Sequence, residues 1–126
     1  MIVSDAGLLC IDLEPTPGSV REVRHAVDQW MREVGADAVA ETARLLVSEL
    51  ATNAVRHAGE SYTVEARWRA PRLRVDVIDG APAPGLRDGP RGSEGGWGLQ
   101  ILEKLADAWG IEDRGSRKTV WFELQE

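Results

Sequence analysis

Three polar side chains fall on one stripe of a predicted helix, and the amide among them could bind a cation. Glu49, Asn53 and His57 are spaced four residues apart, so they share one face of the helix beside its apolar side. Asn53 is a mediocre helix former, but its amide oxygen is a suitable ligand for a hard cation such as Mg²⁺. Taken alone, this stripe, with Arg56 nearby, is also explained as the solvated face of the helix.

A carboxylate ends a strand pattern that is otherwise apolar on one side. Leu73, Val75 and Val77 alternate with polar residues, and Asp79 has the same parity. Because a buried carboxylate is costly unless it is hydrogen-bonded, Asp79 is predicted to face a pocket. There it could accept a hydrogen bond from an exocyclic amine such as adenine N6. The alternative is that Asp79 caps the turn that begins at Gly80.

A glycine-rich segment leads directly into a further predicted helix. Residues 94–99 read Glu-Gly-Gly-Trp-Gly-Leu. Glycines allow close approach of the backbone to a ligand, and the N–H groups at a helix N-terminus favour phosphate. Residues 80–95, which precede the helix, are rich in glycine and proline. They predict a long loop of the kind that forms a lid over a site or is disordered.

The hydrophobic periodicity predicts the elements that position these residues. A capping box formed by Ser19 and Glu22 predicts the start of the first helix. The predicted strands cover residues 8–14, 62–69, 73–79, 110–114 and 117–125, and the predicted helices cover residues 19–35, 37–58 and 99–109. This order predicts one α+β domain over residues 1–126. It is a two-layer sandwich with helices packed on one face of a mixed, mainly antiparallel sheet.

Composition disfavours several classes of protein. The net charge of −6 argues against non-specific nucleic-acid binding, and the single cysteine, Cys10, rules out an intramolecular disulfide. His25 and His57 form no HExxH metal motif. No apolar run approaches the roughly 18 residues of a membrane span. The first residues lack the basic and apolar regions of a signal peptide. We therefore expect a cytoplasmic protein.

Four segments, in this order and on these elements, resemble the Bergerat (GHKL) ATP-binding fold. The resemblance is to its stand-alone serine-kinase and anti-sigma-factor branch, and it covers the chain from about residue 19 to residue 124. Residues 46–58 resemble the N box, Asp79 the start of the G1 box, residues 96–99 the G2 box, and residues 118–122 the closing strand. Ala81 and Ala83 stand where a fuller G1 box has glycines.

The resemblance implies that the ligands are ATP and Mg²⁺. On helix two, it implies that Asn53 holds Mg²⁺ and through it the phosphates. Glu49 is implied to be the base or positioning group for the attacking hydroxyl. Arg56 matches a position at which relatives often have a basic residue near the phosphates.

The resemblance assigns the remaining residues to the two ends of the nucleotide. Asp79 is implied to read adenine N6, with Thr119 supporting the adenine end. Gly96, Gly98 and Leu99 are implied to surround the phosphates.

Three functions are compatible with this pattern. The first is a protein serine/threonine kinase that phosphorylates a small antagonist protein of the STAS type and sequesters a sigma factor. The second is an ATP-binding interaction module with little or no turnover. The third is an interaction protein with a decayed site, which the presence of Glu49, Asn53 and Asp79 disfavours. Relatives of this type often form homodimers, whereas charge and hydropathy predict no direct contact with nucleic acid or membrane.

Overall fold

Six strands and three α-helices make up the part of the chain that the computed structural model describes. That part comprises residues 2–5, 7–57, 59–80, 97–113 and 115–126, with backbone alone for residues 3–5 and 97–99. The elements, in chain order, are β1 Ile2–Asp5, β2 Leu8–Leu13, α1 Pro17–Val34, a 3-10 turn Asp37–Val39, α2 Ala40–His57, β3 Tyr62–Arg69, β4 Arg72–Asp79, α3 Trp97–Leu105, β5 Ala108–Asp113 and β6 Lys118–Gln125.

The strands form one sheet in the order β1-β2-β3-β4-β6-β5. All five of these pairings are antiparallel, so the sheet is antiparallel rather than mixed over the described strands. Along β4, buried residues alternate with half-buried or exposed ones, and α2 packs against this strand. Helix α1 packs against β2, β3 and α2. The predicted α+β sandwich with helices on one face is confirmed.

The start of α1 differs from the predicted capping box. The helix begins at Pro17 after Thr16, whose backbone is extended, and no side chain caps it. The Ser19 hydroxyl instead donates to the carbonyl of Thr16 at 2.7 Å and is hydrogen-bonded to the hydroxyl of Tyr62 at 2.7 Å. The capping-box prediction was wrong because Ser19 is buried against the sheet. The predicted end at Gly35 is confirmed by its left-handed backbone, with φ of 82°.

The last helix is shorter than its sequence pattern predicts. Helix α3 ends at Leu105, whereas the prediction ran to about Trp109. The N–H of Asp107 donates to the carbonyl of Glu123 at 2.9 Å, and Trp109 lies opposite Phe122 in the sheet. Pairing with β6 therefore takes residues 108 and 109 into β5.

Two further predictions concern the loop and the membrane. The predicted lid at about 80–95 lies, apart from Gly80, outside the described residues. No helix within the described ranges has the length and apolar character needed to cross a bilayer.

Candidate functional site

Asp79 lies at the end of β4 on the face of the sheet that carries the core. Its side chain continues the buried stripe of Leu73, Val75 and Val77, and the residue is only 2% exposed. An isolated carboxylate at such a depth would be strongly destabilising. The structure supplies a counter-charge: the ammonium of Lys118 lies 3.3 Å from Asp79 Oδ1. The predicted burial of Asp79 is confirmed, and Lys118 is the polar partner that this burial requires.

Lys118 is a charged residue of this site that sequence reasoning missed. It is the first residue of β6, lies directly opposite Asp79 in the sheet, and is 5% exposed. The alternation of side chains along β6 could have predicted that Lys118 is buried. Lys118 shares its face with Val120 and Phe122, just as Asp79 shares its face with Val77. A lysine at the start of an inward stripe, opposite an aspartate at the end of another, predicts an ion pair.

Thr119 lies on the other face of the sheet. It pairs with Ile78 of β4 and Glu112 of β5, so its side chain has the parity opposite to that of Asp79. The structure therefore does not bring Thr119 to the Asp79 carboxylate. The side chain that β6 presents there is Lys118.

Helix α2, which carries the polar stripe, packs on the sheet. It packs against both β4 and α3, the two elements that carry Asp79 and the glycine-rich helix start. Glu49 and Asn53 are half-buried, while Arg56 and His57 near the C-terminal end are exposed.

Two neighbouring hydroxyls on α2 are engaged within the helix. Ser48 donates to the carbonyl of Arg44 at 2.8 Å, and Thr52 donates to the carbonyl of Ser48 at 2.7 Å. Glu49 and Asn53, in contrast, make no such bond to a carbonyl of α2 in the part of the chain that the structure describes, so their side chains can take part in a site.

The first turn of α3 contains two of the residues that the sequence analysis assigned to the phosphates. The helix begins at Trp97, so Gly98 and Leu99 lie in its first turn, where backbone N–H groups have no partner within the helix. Gly96, which precedes the helix, lies outside the described residues. The predicted helix after the glycine-rich segment is confirmed, and it begins at Trp97.

The residue after Asp79 is Gly80, and its lack of a side chain allows Glu60 to pack against the backbone there. A Cβ atom at Gly80 would clash with the carboxylate end of Glu60 and would lie 3.6 Å from the carbonyl oxygen of Ser116. The short loop before β3 and the turn before β6 therefore meet at this end of the sheet. Asp79 and Lys118 lie next to that junction.

Glu49 also borders a surface depression between α1 and α2. The depression has a volume of about 610 Å³, and its charged lining includes Arg24, Glu41 and Arg44. Of the predicted site residues that the structure describes, Glu49 alone lines it. The depression is thus separate from the Asp79–Lys118 pair.

The comparison with known protein families gives a clear assignment. A family model described as the histidine kinase-like ATPase domain matches residues 13–124, which is most of the chain. The chain belongs to this family. The matched range contains all the residues that the sequence analysis placed in the N box, the two glycine boxes and the closing strand.

Two similar proteins extend this assignment. The chain is 35% identical over 80 residues to the uncharacterized protein SCO4941 of Streptomyces coelicolor, covering 59% of this chain and 76% of that protein. A crystal structure of the RsbU and RsbW domains of Rv1364c from Mycobacterium tuberculosis has a TM-score of 0.74 and 26% sequence identity. That match covers 94% of this chain but 32% of the solved one, so this histidine kinase-like ATPase domain spans about a third of its length.

The described residues are compatible with a magnesium ion that accompanies a nucleotide. They contain no cluster of three or more His, Cys, Asp or Glu side chains placed to hold a metal. Mg²⁺ is commonly bound through one or two protein oxygens together with substrate phosphates and water. The half-buried amide of Asn53 is a suitable single protein ligand for an ion held in that way.

Proposed function

We propose that this histidine kinase-like ATPase domain is an ATP-binding regulatory protein kinase of the anti-sigma-factor type. In this proposal it acts in the cytoplasm, phosphorylates a serine or threonine of a small STAS-type antagonist, sequesters a sigma factor and forms a homodimer. The buried Asp79 carboxylate at the end of β4 is the observation that carries the proposal. The family assignment and the likeness to an RsbW domain support it.

In the proposed complex, the base and the phosphates are bound by different elements. Asp79 accepts a hydrogen bond from adenine N6, because a carboxylate is an acceptor and the exocyclic amine is a donor. The first-turn amides of α3, at Gly98 and Leu99, bind phosphate oxygens, together with Gly96. Arg56, on the exposed end of α2, adds positive charge near the phosphates.

Asn53 and Glu49 have separate roles on α2. Asn53 holds Mg²⁺, which when bound neutralises charge on the phosphates. Phosphoryl transfer depends mainly on positioning and charge stabilisation, so holding the nucleotide rigidly is the larger part of the task. Glu49, one helical turn before Asn53, accepts the proton of the attacking serine or threonine hydroxyl or positions that hydroxyl.

A matched set of α2 variants tests this division. We expect Asn53→Ala to weaken Mg²⁺-dependent ATP binding. We expect Glu49→Gln to bind ATP as the wild type does but to transfer phosphate about 10²–10⁴-fold more slowly, the usual value of general-base assistance. Glu41→Gln, an exposed carboxylate in the first turn of the same helix, is the control and should change neither property.

The assay is single-turnover transfer from γ-labelled ATP to the antagonist protein, which is obtained by pull-down from native cytosol with the wild-type chain. Unchanged transfer by folded Glu49→Gln would remove Glu49 from the catalytic role. ATP binding without transfer by the wild type would instead identify an ATP-dependent binding module with little or no turnover.

A further inference from the structure

Lys118 and Asp79 form a charged pair on the core-facing side of the sheet. They lie directly opposite each other on β6 and β4, with side chains 6% and 3% exposed. Transfer of two charges from water into a protein interior costs several kcal/mol per ion, and a buried pair is often no more stabilising than apolar residues of similar volume. The burial of this pair is therefore weak evidence for a role in stability.

The geometry of the pair leaves hydrogen-bonding capacity on Lys118. The distance from Lys118 Nζ to Asp79 Oδ1 is 3.3 Å, longer than the roughly 2.7–2.9 Å of a tight ammonium–carboxylate bond. An ammonium has three N–H donors, and a carboxylate has about four acceptor positions. One contact with Asp79 therefore does not use all three donors of Lys118. The pair presents a donor and an acceptor side by side at the same point of the sheet.

We infer that Lys118 is a second base-reading residue of the nucleotide site and acts beside Asp79. An adenine carries its exocyclic amine, a donor, next to a ring nitrogen, an acceptor. Asp79 accepts from the amine, and Lys118 donates to the adjacent ring nitrogen. This inference rests on the proposed nucleotide-binding function and names the chemistry by which the same site recognises the base.

The sheet supports this assignment because its register places Thr119, the residue next to Lys118, on the face away from Asp79. Thr119 lies on the opposite face, paired with Ile78, so β6 reaches the base end of the site through Lys118. The backbone groups of Asp79 and Lys118 belong to the β4–β6 pairing. Their side chains can therefore change partner when a base binds without breaking the sheet.

Base analogues that lack one ring nitrogen provide the test. The probes are Mg²⁺–ATP, 1-deaza-ATP and 7-deaza-ATP, titrated into the full chain by calorimetry. The wild type should bind one of the two analogues about tenfold or more weakly than ATP, because a hydrogen bond to a charged donor is lost. Lys118→Met should bind ATP about tenfold more weakly and should no longer distinguish ATP from that analogue. Lys118→Arg, which keeps a charged donor, should retain part of the discrimination.

The controls separate this inference from the function on which it rests. Lys104→Met changes the only other lysine of the chain, an exposed residue of α3, and should behave as the wild type. If the wild type binds no nucleotide, the proposed function fails and the inference fails with it. If it binds ATP and both analogues equally, or if Lys118→Met keeps the wild-type ratio, only the role of Lys118 is overturned. Should Lys118→Met not fold, the wild-type analogue series and Lys118→Arg still decide the question.

Discussion

At the scale of single residues, strand parity determines which side chains reach the site. The alternation of Leu73, Val75 and Val77 predicts that Asp79 lies on the buried face, and the structure confirms it. The same alternation along β6 places Lys118 on that face and Thr119 on the other. The resemblance to a family motif pointed to Thr119, whereas the physical pattern of this chain leads to Lys118.

Cys10 provides a residue-scale prediction about reactivity. Burial raises the pKa of its thiol above the ordinary value of 9.0, and the carboxylates of Glu65 and Asp12 raise it further. The thiolate is the reactive form, so alkylation by iodoacetamide near neutral pH should be slower than for free cysteine. Glu65→Gln, which removes a carboxylate 3.9 Å from the sulfur, should accelerate alkylation by less than about tenfold, the factor that one pKa unit would give.

Glu14→Gln is the matched control for Cys10, since Glu14 is exposed and is not among the groups that shift this thiol. Equal acceleration by Glu14→Gln would show that net charge rather than the neighbouring carboxylate controls the reactivity.

At the scale of elements, the hydrophobic pattern of a segment predicted the element correctly where that pattern has one clear helical or strand periodicity. The β3–β4 hairpin and helix α2 follow their patterns within a few residues. The same pattern failed where contacts with another strand determine the secondary structure. Residues 108 and 109 join β5 because β6 offers them partners, and β1 is a four-residue strand that exists by pairing with β2. Neither partner is visible within the segment itself.

The hydrogen bond between Tyr62 and Ser19 joins β3 to α1 and can be tested by removing one hydroxyl. The two oxygens are 2.7 Å apart and buried. Tyr62→Phe should lower the free energy of unfolding by about 0.5–1.5 kcal/mol near neutral pH, the usual value of such a bond. Denaturant unfolding measures this loss. An unchanged midpoint would show that the bond contributes nothing to the docking of α1.

The same residue predicts a change in stability at alkaline pH. Burial raises the pKa of Tyr62 above its ordinary value of 10.0. The hydrogen bond between Tyr62 and Ser19 lowers this pKa, and the charge of Glu22 raises it. The folded state therefore holds this proton more tightly than the unfolded state. Its contribution is present below about pH 10 and is lost as the pH rises through the folded pKa. Tyr62→Phe should lack this part of the alkaline decrease in stability. Tyr62 is the only tyrosine, so its ultraviolet absorbance reports the titration directly.

The β5–β6 pairing on the outer face depends on a glycine. A Cβ atom at Gly110 would lie 2.8 Å from the indole ring of Trp121, and the guanidinium of Arg74 lies over that ring, 4.2 Å from its centre. The ring is therefore restricted by Arg74 as well as by the strand. Gly110→Ala should cost about 1–3 kcal/mol of unfolding free energy, as overpacking usually does.

Gly18→Ala is the matched control for Gly110→Ala. No atom lies within 4 Å of its would-be Cβ, and the position is helical. Its stability should be unchanged or up to about 1 kcal/mol higher. Thermal melts of both variants decide, and an equal effect of the two would contradict the proposed clash with Trp121.

At the scale of the whole molecule, the order of the motifs was more informative than any one of them. A helix with an acid and an amide, a strand that ends in a buried acid and a glycine-rich helix start are each common. Their sequence along one chain pointed to the family that the comparison confirms. The packing of α2 against both β4 and α3 explains why that order matters, because it places the three segments around one region of the fold. The partner proteins could not be derived in this way, since they depend on surfaces of other chains.

Equilibrium binding of Mg²⁺–ATP to the wild type and two aspartate variants tests the central claim most directly. Asp79 and Asp76 lie on the same strand, but Asp79 is buried on the core face, while Asp76 accepts a hydrogen bond from Arg74 at 2.8 Å on the other face. The account predicts that the wild type and Asp76→Asn bind ATP equally and that Asp79→Asn binds it at least about tenfold more weakly. The substitution removes the negative charge and one of the two acceptor oxygens, so the hydrogen bond from adenine N6 loses its charge assistance. Absence of binding by the wild type, or equal affinity of folded Asp79→Asn, would contradict it.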